Sequence, residues 1–249
     1  MINVLVTNPR PHCKRLAVLL RAKGCTVAEL PLWEVVPPSD GGAALRAVCA
    51  RLDDYDWITF TSRFAIEAFV AIVSPRSRRI AVVGPETAAL LQRAGFTVEC
   101  VADPATAEGL VKALAERGVS DAKILVVQGS TARQTLAEGL RRVGAIVECV
   151  DAYEMRPTAV DPAWWIRENE IARYDAVAFT APSAVERFVE LFGPPKGVPP
   201  FAAASWLAIG PTTADALKLA GLAPIYQPRE PTFAALADLV ANIPVDSRT

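Results

Sequence analysis

One segment of this 249-residue chain occurs twice. The stretch YDWITFTSRFAIEAFV at 55–70 returns, 119 residues later, as YDAVAFTAPSAVERFV at 174–189. A second pair follows the copies, VVGPETAALLQRAG at 82–95 and AIGPTTADALKLAG at 208–221. Each copy has the pattern of an apolar strand that turns directly into an amphipathic helix. Because the spacing suits a whole small domain and is too wide for a solenoid repeat, the sequence predicts two related α/β lobes.

Strands and helices alternate along most of the chain. An apolar strand at 2–7, a helix that ends before Gly24 and a strand at 26–30 form a βαβ beginning, which favours parallel strands. After Tyr55 the alternation resumes, and the turn at 128–131 is expected to lead straight into a helix. We predict that helix at 132–143 and a last strand of this lobe at 146–150.

Two extended segments interrupt the alternation, at 33–38 and at 151–156, each with an aromatic residue, a glutamate and then proline close by. Trp33-Glu34 and Tyr153-Glu154 are expected to pair as antiparallel linker strands. The first lobe is then discontinuous, comprising 1–32 plus 157–249, and the second lobe is 39–150. The predicted fold is therefore α/β, with two related flavodoxin-like parallel-sheet lobes joined by a two-stranded linker.

Composition excludes several classes of function. A net charge of −1 and a pI near 6.0 argue against a broad polyanion-binding face, so no nucleic-acid partner is expected. No apolar run is long enough to cross a bilayer and nothing resembles a signal peptide, so we expect a cytoplasmic protein with no membrane partner. Five dispersed cysteines without a CxxC motif predict reduced, mostly buried thiols. His12 is the single histidine, too few for a zinc site or a Ser-His-Asp triad, and no metal is expected.

Six turns follow predicted strands, and each is small, hydroxylated or proline-containing and is expected to start a helix. Ligands of open parallel sheets bind beyond the carboxyl ends of the strands, where these turns lie. Backbone N–H groups and the positive end of the helix dipole suit carboxylates or phosphates there. The same residue types are ordinary helix caps, so capping stays an alternative for each turn. The candidate binding residues are Thr7, Arg10, Thr61, Ser62, Arg63, Gly84, Thr87, Gly129, Ser130, Thr180, Ser183, Gly210, Thr212 and Thr213.

Tyr153 is the one candidate for proton chemistry, because an acid–base dyad is not apparent. Glu86 lies in one of the turns, but Thr212 occupies the matching position of the second copy, which weakens a shared catalytic role. A phenol in a linker segment could donate a proton or could pack between the lobes, and the sequence leaves both open. No turn carries a Walker lysine pattern or GxGxxG, so nucleotide binding has no support.

An ordered set of short motifs resembles the uroporphyrinogen-III synthase family over almost the whole chain. Each motif alone is weak, and the order and spacing together are specific. The motifs are FTS at 60–62, VVGPETA at 82–88, AYE at 152–154, FTAPSAV at 179–185, AIGPTTA at 208–214 and PT at 231–232.

The resemblance implies a cofactor-free lyase of tetrapyrrole (heme) biosynthesis. Its substrate is hydroxymethylbilane, a linear tetrapyrrole with carboxylate side chains. The family removes the hydroxyl as water, inverts ring D and closes the macrocycle as uroporphyrinogen III, with a spiro-pyrrolenine as the usual proposed intermediate. Such a reaction mostly needs positioning and exclusion of water. The resemblance also leads us to expect a monomer that takes its substrate over from hydroxymethylbilane synthase.

The resemblance assigns roles to particular residues. Tyr153 matches the family's linker tyrosine, often proposed to assist departure of the hydroxyl. Thr212 and Thr213 match its Gly-Pro-Thr-Thr turn, and Ser183 matches the serine of its FTxPSAV turn. Ser62 and Thr87 match cleft residues of the second lobe.

This chain departs from the family pattern at two positions. Asn8 stands where many members have arginine, with Arg10 two residues later, and Ala181 replaces the more usual serine. A different class of protein, a two-lobed sensor that closes on an anionic metabolite, would have the same kind of turns and stays open. A degenerate enzyme retained as a scaffold is disfavoured because Tyr153 and the turns are intact.

Overall fold

The computed structural model describes residues 1–75, 77–169, 173–193, 198–240 and 243. The strands in chain order are β1 (Asn3–Val6), β2 (Thr26–Glu29), β3 (Trp33–Val36), β4 (Trp57–Phe60), β5 (Arg79–Val82), β6 (Cys100–Val101), β7 (Lys123–Gly129), β8 (Ile146–Pro157), β9 (Ala176–Phe179), β10 (Ser205–Ala208) and β11 (Ile225–Tyr226). The helices are α1 (Arg10–Ala22), α2 (Ala43–Ala50), α3 (Arg63–Val70), α4 (Pro85–Arg93), α5 (Ala107–Ala115), α6 (Thr135–Arg142), α7 (Pro162–Glu168), α8 (Pro182–Phe192), α9 (Pro211–Leu219) and α10 (Phe233–Val240).

The chain divides into two compact units. The first consists of Met1–Glu34 and Arg156–Thr249, and the second is Val35–Met155. Both points of division fall within the extended segments that contain Trp33 and Tyr153. No helix in the described part of the chain is long and apolar enough to cross a membrane.

The sheet of the first unit has the order β11-β10-β9-β1-β2, and its neighbouring strands are parallel. Helices cover both faces, so strands need apolar residues on both sides. In β1, Val4 and Val6 pack in one core cluster with α1 and α10, and Leu5 packs in the opposite cluster with Phe179 and Phe188. This two-sided burial explains why the first apolar run of the sequence has no polar alternation.

The sheet of the second unit has the order β3-β8-β7-β4-β5-β6. The pairs from β8 to β6 are parallel. In β4, Trp57 packs on one face with Leu110 of α5, and Phe60 packs on the other face against Phe69 of α3, with ring centroids 5.1 Å apart. The predicted α/β fold with parallel sheets is confirmed.

The two sheets share one strand order when each is read from its copy of the duplicated segment. In the second unit, reading starts at β4, and the order β6-β5-β4-β7-β8 runs third, second, first, fourth, fifth. In the first unit, β9 is counted first, β10 second and β11 third, followed by β1 and β2 as fourth and fifth. The order β11-β10-β9-β1-β2 then also runs third, second, first, fourth, fifth. Each copy of the repeat therefore forms the central strand of these five, and the first unit begins partway through its own topology.

Two predictions about local structure are wrong. The strand predicted at 146–150 does not end there, because β8 continues to Pro157 and still pairs with β7 at Tyr153. The helix predicted at 132–143 begins only at Thr135, after a turn, so the turn at 128–131 does not open a helix directly.

The cysteines are mostly buried, as predicted. Cys13, Cys25, Cys49 and Cys100 are buried and Cys149 is half-buried. Burial raises the pKa of the Cys13 thiol to about 12. A thiol with such a pKa is a poor nucleophile near neutral pH, which fits packing and not chemistry.

Candidate functional site

Tyr153 and Ser62 meet at the carboxyl edge of the second unit's sheet. Ser62 follows β4 and opens α3, and Tyr153 lies in β8 beside the end of β7. The Tyr153 hydroxyl donates a hydrogen bond to Ser62 Oγ at 3.0 Å. The Tyr153 ring meets Phe64 edge-on, with ring centroids 5.4 Å apart. Tyr153 is half-buried, and these two neighbours hold its phenol.

Ser62 also caps α3. Its Oγ accepts a hydrogen bond from the backbone N–H of Phe64 at 3.2 Å. A serine oxygen that accepts two hydrogen bonds still has its own proton to donate. Capping and ligand contact, which the sequence left as alternatives, are therefore compatible at this residue.

Several helices begin without a side-chain cap, in contrast to α3. At the starts of α4, α8 and α9 the capping positions are Gly84, Ala181 and Gly210, which have extended backbone and make no side-chain cap bond. Each is followed by proline at the first helical position. Proline has no N–H, so the first exposed donors are those of the next residues.

These uncapped starts suit anions. Backbone N–H donors at Glu86, Thr87, Ser183 and Thr212 lie at the positive end of a helix dipole, where a carboxylate is stabilised. By comparison, α5 and α7 are capped by Thr106 and Asp161, whose side chains accept the helix N–H groups. The uncapped starts follow β5, β9 and β10, so they lie at the carboxyl edges of the two sheets.

The candidate residues differ in exposure. The exposed ones are Arg10, Thr61, Ser130, Ser183 and Thr212. The half-buried ones are Ser62, Arg63, Gly84, Thr87, Tyr153 and Thr180. The buried ones are Thr7, Gly129, Gly210 and Thr213.

The buried candidates Thr7, Thr213 and Gly129 have particular surroundings. Thr7 is fully buried, and its hydroxyl donates to the carbonyl oxygen of Ala178 at 2.9 Å. Thr213 is 2% exposed. Gly129 lies buried next to Tyr153, and the N–H of Ser130 donates to the Tyr153 carbonyl at 3.0 Å.

Asn8 has a role that the sequence did not indicate. It is 1% exposed, and its side-chain amide donates to the Thr180 hydroxyl, which joins the ends of β1 and β9. The neighbouring Arg10 is exposed in the first turn of α1. Arg63 pairs with Glu67 at 2.8 Å, one helical turn further along α3.

A second polar cluster in this unit lies at the opposite end of the strands. Tyr55, which precedes β4, donates to Glu148 at 2.5 Å, and Arg51 pairs with the same carboxylate at 2.6 Å. The hydrogen bonds from Tyr55 and Arg51 hold the pKa of Glu148 below its ordinary value. Burial and the same carboxylate raise the pKa of Tyr55. No group of three or more His, Cys, Asp or Glu residues that could hold a metal occurs among the described residues.

A family model and two relatives that are similar to this chain carry the same description. A family model described as "Uroporphyrinogen-III synthase HemD" matches residues 14–238. A protein of Methanothermobacter thermautotrophicus described as a putative uroporphyrinogen-III synthase is 30% identical over 196 residues, which are 76% of this chain and 77% of the relative. The uroporphyrinogen-III synthase of Synechococcus elongatus is 30% identical over 221 residues, covering 84% of this chain and 83% of the relative.

A solved structure has a similar fold. The uroporphyrinogen-III synthetase of Helicobacter pylori 26695 is 16% identical to this chain and aligns with a TM-score of 0.58. The alignment covers 96% of this chain and 98% of that one. At this identity the likeness concerns the α/β fold.

We predict that Ser62→Ala destabilises the protein more than Thr106→Ala. Both substitutions remove a helix cap in the same unit, which costs about 1 kcal/mol each. Ser62→Ala also removes the hydrogen bond from Tyr153, worth about 0.5–1.5 kcal/mol more. Urea denaturation followed by circular dichroism measures both free energies of unfolding. Equal losses would show that the Tyr153–Ser62 bond contributes nothing to stability.

Proposed function

This chain belongs to the uroporphyrinogen-III synthase family, and we propose that it converts hydroxymethylbilane to uroporphyrinogen III in tetrapyrrole biosynthesis. The reaction removes the substrate hydroxyl as water, inverts ring D and closes the macrocycle. The observation that carries the proposal is the phenol of half-buried Tyr153, held by Ser62 at the carboxyl edge of a parallel sheet.

Departure of the hydroxyl is the step assigned to Tyr153. The electron-rich pyrrole pushes out the hydroxyl as hydroxide when the C–O bond breaks, which leaves an azafulvenium cation. A hydrogen bond from Tyr153 stabilises the charge that develops on the leaving oxygen. The proton that the hydroxyl takes up is balanced by the one that the ring carbon loses when the macrocycle closes. Ser62 holds the phenol before substrate arrives and has its own proton to donate.

The acetate and propionate groups of the substrate are assigned to the uncapped helix starts. The starts of α4, α8 and α9 have backbone donors that no side chain caps, and their dipoles favour carboxylates. Of these starts, α4 belongs to the second unit, and α8 and α9 belong to the first. On this proposal the units are the two lobes of the enzyme, joined by β3 and the last part of β8.

Ring inversion depends on how ring D is held. Unaided closure gives the symmetric isomer I, so the protein must direct attack to the substituted carbon of ring D. This is a task of orientation and water exclusion, for which fixed backbone donors suffice. On this proposal the enzyme acts as a monomer and receives its substrate from hydroxymethylbilane synthase.

We expect the purified protein, supplied with freshly generated hydroxymethylbilane, to form mainly isomer III. Tyr153→Phe is expected to lower kcat about tenfold or more, because the leaving hydroxyl loses its donor. Isomer I from spontaneous closure then rises. Oxidation of the products and chromatographic separation of isomers I and III measures both effects.

Tyr55→Phe is the matched control for that experiment. It removes a phenol hydroxyl of the same unit that donates to Glu148. This pair lies at the opposite end of the strands from the proposed site. The substitution is expected to lower stability by about 1 kcal/mol or more and to leave turnover and isomer ratio unchanged. Undiminished turnover in Tyr153→Phe would remove Tyr153 from the mechanism, and isomer I at the spontaneous rate with the unaltered protein would overturn the proposed function.

Ala181→Asp is expected to raise KM by about two- to tenfold with little change in kcat. A carboxylate at this capping position takes up the N–H donors of α8 and repels a substrate carboxylate at the same helix start. Ala181→Ser caps the helix without adding charge and should raise KM less. Steady-state kinetics on both variants separates charge from capping, and an unchanged KM in Ala181→Asp would exclude this helix start as a binding position.

A further inference from the structure

The backbone conformation at Gly129 does not require a glycine. Gly129 is the last residue of β7 and is buried, and it is not among the glycines with a positive φ. Glycine in a strand loses more conformational freedom on folding than other residues and gives the strand no side chain to pack. Such a glycine in a strand often marks a bulge or a close approach by another group.

The group that approaches Gly129 is the phenol of Tyr153. A Cβ at position 129 would lie 2.7 Å from Cζ of Tyr153, 2.9 Å from its hydroxyl oxygen and 3.0 Å from Cε2. These atoms form the hydroxyl-bearing end of the ring. The space left by the missing side chain is therefore occupied by the part of Tyr153 to which the mechanism assigns a role.

A β-bulge directs Tyr153 toward Gly129. Gln128 pairs with Asp151, but the next residue of β7, Gly129, pairs with Tyr153, so Ala152 is the additional residue of β8. A bulge of this kind changes the direction of a side chain at the end of a ladder. The N–H of Ser130 then donates to the carbonyl of Tyr153 at 3.0 Å, which holds the backbone on the far side of the bulge.

Two further contacts complete the support of the ring. Phe64 meets the ring edge-on at a centroid distance of 5.4 Å, and Ser62 accepts from the hydroxyl at 3.0 Å. Gly129 sets how deep the ring lies, Phe64 limits its tilt and Ser62 holds the hydroxyl. A side chain at position 129 cannot be added without moving the phenol.

We propose that Gly129 is a positioning residue for the reaction, which sets the place of the Tyr153 hydroxyl by having no side chain. This proposal rests on the role given to Tyr153 in the proposed function. With alanine at position 129, its Cβ would lie 2.7 Å from Cζ of Tyr153, and an ordinary contact is at least 3.4 Å. The ring would therefore have to move by about 0.7 Å. Misplacement of a reacting group by about 1 Å can cost a factor of 100 in rate.

A double-mutant cycle of Gly129→Ala and Tyr153→Phe tests the proposal. We expect Gly129→Ala to lower kcat about tenfold or more, with KM within about twofold, and to raise the share of isomer I. In the Tyr153→Phe background the same substitution should lower kcat by less than about twofold, because the hydroxyl that it displaces is already absent. A wild-type kcat in Gly129→Ala, or an equal loss in both backgrounds, would overturn the proposal.

The cycle also separates this proposal from the proposed function. If Tyr153→Phe turns over like the unaltered protein, the role of Tyr153 fails and the positioning role fails with it. If Tyr153→Phe lowers kcat while Gly129→Ala leaves kcat unchanged, or lowers it equally in both backgrounds, the proposed function stands and the positioning role alone is rejected.

Gly139→Ala controls for general loosening of the second unit. A Cβ there would lie 2.6 Å from a methyl of Val111, so it also creates a buried clash, between α6 and α5 and not at Tyr153. It should lower the melting temperature and leave kcat of the folded protein unchanged. A loss of kcat equal to that of Gly129→Ala would contradict the proposal.

Phe64→Leu keeps the test usable if Gly129→Ala fails to fold. It removes the edge contact with the Tyr153 ring without adding a clash. A fall in kcat of about threefold or more that disappears in the Tyr153→Phe background is expected, and no fall would argue against ring positioning by this set of contacts.

Discussion

A helix cannot satisfy its own first N–H groups, and much of this structure depends on how each helix start meets that constraint. Ser62, Thr106 and Asp161 supply side-chain caps to α3, α5 and α7. The starts of α4, α8 and α9 have glycine or alanine followed by proline and keep their donors. Because these three starts stand at the carboxyl edges of parallel strands, the retained donors suit a substrate rich in carboxylates.

The duplicated segment explains why donors of this kind occur in both units. Each copy forms the central strand of a five-strand order that is the same in the two sheets, with the first unit starting partway through that order. A parallel strand that leads directly into a helix puts the helix start at the sheet's carboxyl edge by connectivity alone. The copies differ at their helix starts, where Ser62 caps α3 and Ala181 leaves α8 uncapped. Because of this difference, the second unit has a serine that accepts the hydrogen bond from Tyr153.

The sequence was sufficient for the α/β fold, for the family and for most of the turns, because these follow from local pattern and order of motifs. It was not sufficient for contacts that depend on register. Thr7 lies in the turn after β1 as predicted, but its burial and its bond to Ala178 were not predicted. The contact of Tyr153 with Ser62 and Gly129 depends on a bulge between β7 and β8, which no periodicity indicates. The burial of Asn8 depends on a partner, Thr180, that is 172 residues away in the chain.

The most direct test of the account is a measurement of backbone amide shifts when uroporphyrinogen III is added to the ¹⁵N-labelled protein under reducing conditions. Uncapped helix starts that bind carboxylates predict large shifts at the amides of Glu86, Thr87, Ser183 and Thr212. The amide of Gly109, which is already bonded to Thr106, should change little. Saturable binding of the product with those four amides unmoved would contradict the account, because the carboxylates would then be held elsewhere.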